Sequence, residues 1–394
     1  MDALRARRSR RWAARLACVL ALAAAGDAAG AVQEPQPAEP VADGAVFRGD
    51  GMWIWYLSQA EGGDLARIAA RAQARGVDTV YVKSGDGADV WRQFTAGMVA
   101  TLEERGLNVC AWQYVYGSDP AAEARVGAVA ALRGADCLVI DAESEYEGRY
   151  EQASTYIAKL RAAVGDEFPI GLAGFPYVHY HPGYPYSVFL GPGGAEFNLP
   201  QVYWQAIGTS VDRAMTTTYT FNRVYVRPID PIGQLYDDPP RRQVRRFRQL
   251  ARASGFGGTS WWSWQDASPS GFRSATKRRI GHATGYRPST AYPTLEKGAA
   301  GDLVVWAQEY LAAAGFFDGS ISGEYGILTS RGVRAFQASV GLAPTGVLDA
   351  ATWPPLLASA EPGPARWGRG TGKAALPAAP RSAGLPAVED ELAR

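Results

Sequence analysis

From Val46 to about His282, short apolar or aromatic runs alternate with longer amphipathic stretches, and this alternation limits the fold more than any other feature of the chain. The runs are Met52–Leu57, Thr79–Lys83, Asn108–Tyr114, Cys137–Ala142, Ile170–Phe175, Gln201–Gln205, Tyr225–Ile229 and Gly258–Trp264. Each reads as a strand, and most are followed by a helical pattern: Asp64–Arg75, Trp91–Arg105, Pro120–Leu132, Tyr150–Val164, Asp212–Asn222 and Arg241–Ser254. In the first helix Leu65, Ile68, Ala69 and Ala72 fall on one face, and Gly76 supplies the stop. Such repetition predicts an α/β fold, a (β/α)8 TIM-type barrel over residues 46–282. An open doubly wound sheet would use fewer strands, and no GxGxxG follows the first one.

In such a barrel, chemistry sits at the C-terminal ends of the strands. The fourth strand ends Ile140-Asp141-Ala142-Glu143, two acids spaced i, i+2. A strand period of two turns both side chains to one side, toward the mouth. Two carboxylates held so close do not ionise equally, and the less solvated one keeps its proton to higher pH. That is the requirement for a general acid in glycoside hydrolysis. Glu143, further out, is assigned as the acid and Asp141 as its electrostatic partner, an order that position alone leaves reversible. Asp266, after the eighth strand, is the remote carboxylate. Lys83 and Asp86 after strand two, Gln113 on strand three, and Tyr203 and Gln205 on strand six are expected to bind substrate. Trp55 and Trp264 are expected to stack on sugar faces.

The segment Gly76-Val77-Asp78-Thr79-Val80-Tyr81-Val82-Lys83-Ser84-Gly85-Asp86-Gly87 resembles the second-strand motif of glycoside hydrolase family 25, the lysozyme-type muramidases. Leu138–Glu143 is similar to that family's fourth-strand D-x-E, and Tyr203-Trp204-Gln205 to its sixth-strand aromatic/Gln pattern. The resemblance implies cleavage between N-acetylmuramic acid and N-acetylglucosamine, with Glu143 as proton donor and Asp141 as its partner. One position departs from the pattern. Where the family carries an Asp soon after a first-strand Gly, this chain has Trp53, with Asp50 upstream near the strand's N-terminal end. A barrel that binds glycan without cutting it, or one that cuts another exported polysaccharide, therefore stays open.

A second unit follows a Pro-containing linker, residues 283–294. Residues 295–357 hold three short helical patterns, Asp302–Ala314, Thr329–Ser339 and Ala350–Leu357, separated by Gly-rich turns. Their texture alone says small three-helix domain. Gln308 with Leu311, Gly315-Phe316-Phe317-Asp318-Gly319, Val333-Arg334-Ala335-Phe336-Gln337, Thr345-Gly346-Val347 and Thr352-Trp353 strongly resemble the peptidoglycan-binding type 1 domain. That resemblance implies a peptidoglycan or related cell-wall polysaccharide as partner. Gln337 and Trp353 read equally well as core or as ligand contacts.

Residues 1–31 read as a secretory signal, a block of six Arg before an apolar run and small residues at Ala29-Gly30-Ala31. Residues 32–45 read as a flexible spacer and 358–394 as a disordered tail. Removing the signal takes away six Arg and two Asp and turns the formal charge of +1 into −3. The basicity thus belongs to the signal, which argues against a nucleic-acid partner. The apolar run is too short to stay in a membrane as a helical span. Cys110 and Cys137 then remain, as one bridge or two buried thiols. Three His with no Cys/His cluster give no metal site, and no cofactor motif is present. The expectation is a secreted wall enzyme of the glycoside hydrolase type.

Overall fold

The computed structural model describes residues 44–276 and 280–363. The expected export signal, nearly all of the expected spacer and the stretch beyond 363 lie outside the described residues. Strands β1 (Gly49–Ile54), β2 (Thr79–Asp86), β3 (Asp89–Val90), β4 (Asn108–Val115), β5 (Cys137–Ala142), β6 (Ile170–Ala173), β7 (Phe197–Asn198), β8 (Gln201–Val202), β9 (Ile232–Gln234) and β10 (Gly258–Trp262) alternate with helices. Those helices are α1 (Leu65–Arg75), α2 (Ala96–Glu103), α3 (Pro120–Leu132), α4 (Tyr150–Val164), α5 (Tyr186–Phe189), α6 (Val211–Asn222), α7 (Arg241–Ala253) and α8 (Pro269–Ala275). A further trio, α9 (Asp302–Ala313), α10 (Ile327–Ser339) and α11 (Trp353–Leu357), follows among the described residues.

The sheet runs β7-β6-β5-β4-β2-β1-β10-β9-β8, all parallel, with β3 antiparallel on β2. Its two edge strands are successive pieces of one stretch, separated only by Leu199 and Pro200. On one side Leu199 and Gln201 donate to Leu172 and Gly174; on the other, Asp230 and Ile232 donate to Asn198 and Pro200. The sheet therefore curls round like a TIM barrel, with its sixth strand broken at a proline that has no N–H to give.

Local chemistry sets the helix ends. Asp64 caps α1 through its Ala66 and Arg67 N–H groups, and Gly76 closes it in the left-handed region at φ 76°. Asp119 caps α3, with Pro120 at its first position. One expected strand is misplaced. Tyr225–Ile229 is not a strand: residues 223–225 form a 3-10 turn, Val226 sits at φ 54°, and the strand comes later, at Ile232–Gln234. The second helix begins at Ala96, capped by Thr95, and not at Trp91.

The fifth unit differs from the rest. After β6 the chain makes a 3-10 turn, Val178–Tyr180, and the four-residue α5 before returning to β7. Helix α9 packs against this segment, and every residue from Asp302 to Leu311 is buried. Trp306 donates its indole N–H to the Val224 carbonyl at 2.7 Å, and its ring lies 5.6 Å from Tyr225. Linker residue Ser289 accepts from Thr220 and Arg223. Inside the C-terminal unit two buried glutamines staple turns. Gln308 accepts from Ser322 and Gly323 and donates to Glu324 and Thr329; Gln337 accepts from Gly346 and donates to Val347 and Thr352. Buried Trp353 donates to Pro293.

Cys110 and Cys137 face each other on the neighbouring strands β4 and β5 and are joined by a disulfide that closes 27 residues of chain. Loop closure of that length restricts the unfolded chain enough to contribute roughly 3–4 kcal/mol. Reducing the bond is expected to lower the unfolding free energy by about that amount, read as a shifted urea midpoint. An unchanged midpoint would show that the hydrophobic sheet alone fixes these two strands.

Candidate active site

At the C-terminal ends of the strands lies a solvent-open cleft lined by aromatic and acidic side chains. Trp53, Trp112 and Trp262 form its floor, with ring centroids 5.3–5.9 Å apart. Trp55 stands beside them, and its buried indole N–H has no acceptor among the described residues.

Asp141 and Glu143 both line this cleft. The Gln201 side-chain amide donates to Asp141 at 3.0 Å and to Glu143 at 3.1 Å. Those two oxygens therefore cannot lie more than about 6 Å apart. Asp141 is the more deeply placed, at 7% exposure. Burial pushes its carboxyl up to about 7 against the opposing pull of Lys83, while Glu145 and Asp86 push the same way as burial. One proton thus stays on the buried member close to neutrality, beside a partner that reaches the cleft.

Lys83 is 2% exposed and pairs with Asp86 at 2.7 Å. Its ammonium also lies 4.5 Å from the Trp91 ring centroid and 4.8 Å from those of Trp55 and Trp112. The faces of these rings attract the ammonium electrostatically. Asp86 in turn accepts from Tyr116 at 2.8 Å, and Tyr114 donates to Glu145 at 3.0 Å. The cleft is a ring of acids around one caged cation.

Of the residues singled out in the sequence, Asp141, Glu143, Lys83, Asp86, Tyr203 and Trp55 come together here. Four do not line the cleft. Gln113 is fully buried and bonds Gly87, Glu123 and Tyr156 in the fold's interior. Gln205 is exposed, because β8 stops at Val202 and the chain turns away. Asp266 accepts from Ser263 in its own turn, and Trp264 packs on Phe272. Asp50, at the opposite end of β1, pairs with Arg248 at 2.6 Å. Gln201 and the floor residue Trp53 were not singled out as site residues. A signal for Gln201 was present, since it stands two positions before Tyr203 on a short strand.

Lys83 favours the ionised form of Asp141, so Lys83→Met removes that pull and moves the Asp141 titration upward from about 7. Carbon-13 NMR of labelled aspartate carboxyls reads the change. A downward or absent shift would mean that Lys83 does not act on this carboxyl.

Residues 300–354 match the family model described as a putative peptidoglycan binding domain, so the chain carries that module behind its barrel. No curated protein matches the chain. Among solved structures the chain is similar to the spore cortex-lytic enzyme SleL of Bacillus cereus, at 11% identity and TM-score 0.46 over 60% of this chain and 76% of that one. It is also similar to a GH18 chitinase from Pseudoalteromonas aurantia, at 12% and 0.45 over 58% and 98%. An endo-β-1,4-mannanase from Thermotoga petrophila follows at 10% and 0.44 over 55% and 68%. These likenesses do not single out family 25, and at such scores they say nothing of reaction or substrate.

Proposed function

We propose that the protein is an exported glycoside hydrolase of the muramidase type that cuts the glycan of a bacterial cell wall. The observation that carries this reading is the acid pair Asp141/Glu143, tied to one amide and set in a cleft walled by tryptophan and tyrosine. Aromatic faces bind the apolar faces of sugar rings, and the pair offers a proton where a glycosidic oxygen would lie. The peptidoglycan-binding type of module supports a wall glycan over a soluble polysaccharide.

In this reading the pair shares one proton: Asp141 holds it near neutrality, and Glu143, the member that reaches the cleft, delivers it to the glycosidic oxygen as the bond to the anomeric carbon breaks. Buried Asp141 and the Gln201 amide hold Glu143 in line. Water adding to the anomeric carbon restores the proton to Glu143. Because the pair sits within about 6 Å on one strand end, it works from one side of the sugar; opposed carboxylates of an inverting site stand further apart.

The competing reading is a glycan-binding barrel without turnover, favoured by Trp53, whose ring occupies the cleft floor and whose indole is tied to Ser260 at 2.9 Å. The two readings part on one measurement. The full chain, incubated with purified peptidoglycan, is expected to release new reducing ends, and Glu143→Gln to lower that rate by about 10²–10⁴-fold. Asp141→Asn is expected to lower it as well and to move the pH profile. Sedimentation with peptidoglycan and no new reducing ends from the wild type would establish the binder instead.

A further inference from the structure

The C-terminal module is joined to the barrel by more than a linker. Its first helix begins at Asp302, which is 1% exposed. The Asp302 carboxylate accepts from the Ser187 backbone N–H at 2.9 Å, the Ser187 hydroxyl at 2.6 Å and the Tyr225 hydroxyl at 2.8 Å. The buried Tyr150 hydroxyl lies close enough to the same carboxylate to feel its charge. All of these donors belong to the barrel. The Asp302 backbone N–H itself donates to the Pro182 carbonyl at 2.7 Å. Gly301 makes this approach possible: at φ 116° with Pro182 against it, a Cβ there would stand 2.6 Å from that proline.

The barrel segment gripped in this way leads to the acid pair. Residues 182–190 fill the place of a full fifth helix, and Tyr184 within them donates its hydroxyl to the Ala142 carbonyl at 2.9 Å. Ala142 is the residue between Asp141 and Glu143. Gly183 accepts from Gly148, and His181 bonds Glu147 at 3.0 Å, so the same segment also holds the loop that follows the acids. Tyr150, the first residue of α4, lies within the field of both Glu147 in that loop and Asp302.

We infer that the wall-binding module is a buttress of the catalytic pair: Asp302 is a positioning residue that sets Asp141 and Glu143 through Ser187, Tyr184 and the Ala142 carbonyl. The module then contributes to turnover of glycans too short to touch it, in addition to any wall affinity. This rests on the hydrolase reading for its kinetic consequence, though not for its structural one.

The test uses the full chain with Asp302→Asn, Tyr184→Phe and, as a control on an exposed face of α10, Arg331→Ala. Tyr184→Phe keeps the ring and removes only the hydroxyl, so it carries the test if Asp302→Asn does not fold. Against a soluble tetrasaccharide of alternating N-acetylglucosamine and N-acetylmuramic acid, both variants are expected to lose kcat by roughly ten-fold or more with KM little changed, a loss typical of misplaced catalytic groups. Sedimentation with peptidoglycan is expected to stay as in the wild type. Carbon-13 titration of the Asp141 and Glu143 carboxyls supplies a readout independent of turnover. Shifted midpoints in both variants and unshifted ones in Arg331→Ala support the buttress even if the wild type cleaves nothing, a result that would overturn only the hydrolase reading. Folded variants with wild-type titrations, or with wild-type kcat on the tetrasaccharide, would overturn the buttress.

Discussion

A carboxylate removed from water at the end of β5 is the constraint around which the mouth of this barrel is built. Left alone, a buried charge would cost far more than any packing gain nearby, so the group must be neutralised, paired or hydrogen-bonded. Asp141 receives some of each. Burial raises its pKa to about 7, Gln201 donates to it, and Lys83 supplies a field of opposite sign. Lys83 then creates the same problem in reverse, and Asp86 with a box of aromatic rings answers it. The composition of the cleft follows from one acid's demand for partners: amide, cation, second acid and rings.

The flank of the barrel shows a similar dependence. A β/α barrel needs a helix over each strand to keep the sheet's outer face dry. Here the fifth unit has only a 3-10 turn and a four-residue turn of helix, and α9 of the C-terminal module, buried along most of its length, lies against it. An apolar face is thereby covered by a piece of chain more than a hundred positions later in sequence. The polar seal is Asp302, whose donors Ser187 and Tyr225 come from two separate barrel elements. One helix serves the packing of both the C-terminal module and the barrel.

Much of this was legible in the sequence because local chemistry agreed with the fold. Helices α3 and α4 begin and end at the expected residues, since Asp119-Pro120 marks one start and Gly165 one stop. The D-x-E pair was legible because a strand's period of two is rigid. Failures came where tertiary geometry overrides pattern. The apolar run Tyr225–Ile229 looks like a strand, yet it is bent by Val226 in the left-handed region and by Pro228, and the three-residue β9 that replaces it is too short to show a period. Gln205 was placed on a strand that ends three residues earlier. Gln113 stands on the right strand but points inward to the helix layer, a difference that strand membership alone does not reveal.

The docking of the module was illegible for a further reason. The stretch Pro176–Gly194 has no helical period, and in isolation it reads as a long loop. Its order comes from contacts on both sides: Tyr184 and Tyr186 pack on each other at 4.4 Å, one bonded to the strand that carries the acids and the other stacked toward Tyr225 and the module. A segment without a local preference takes its shape from what it touches, so whatever moves one side of it must be felt on the other. In a chain of this design the C-terminal module is not a free passenger on the barrel. Substitutions in it must also preserve Asp302, Trp306 and the residues they hold, which confines variation to the surfaces facing away from the barrel.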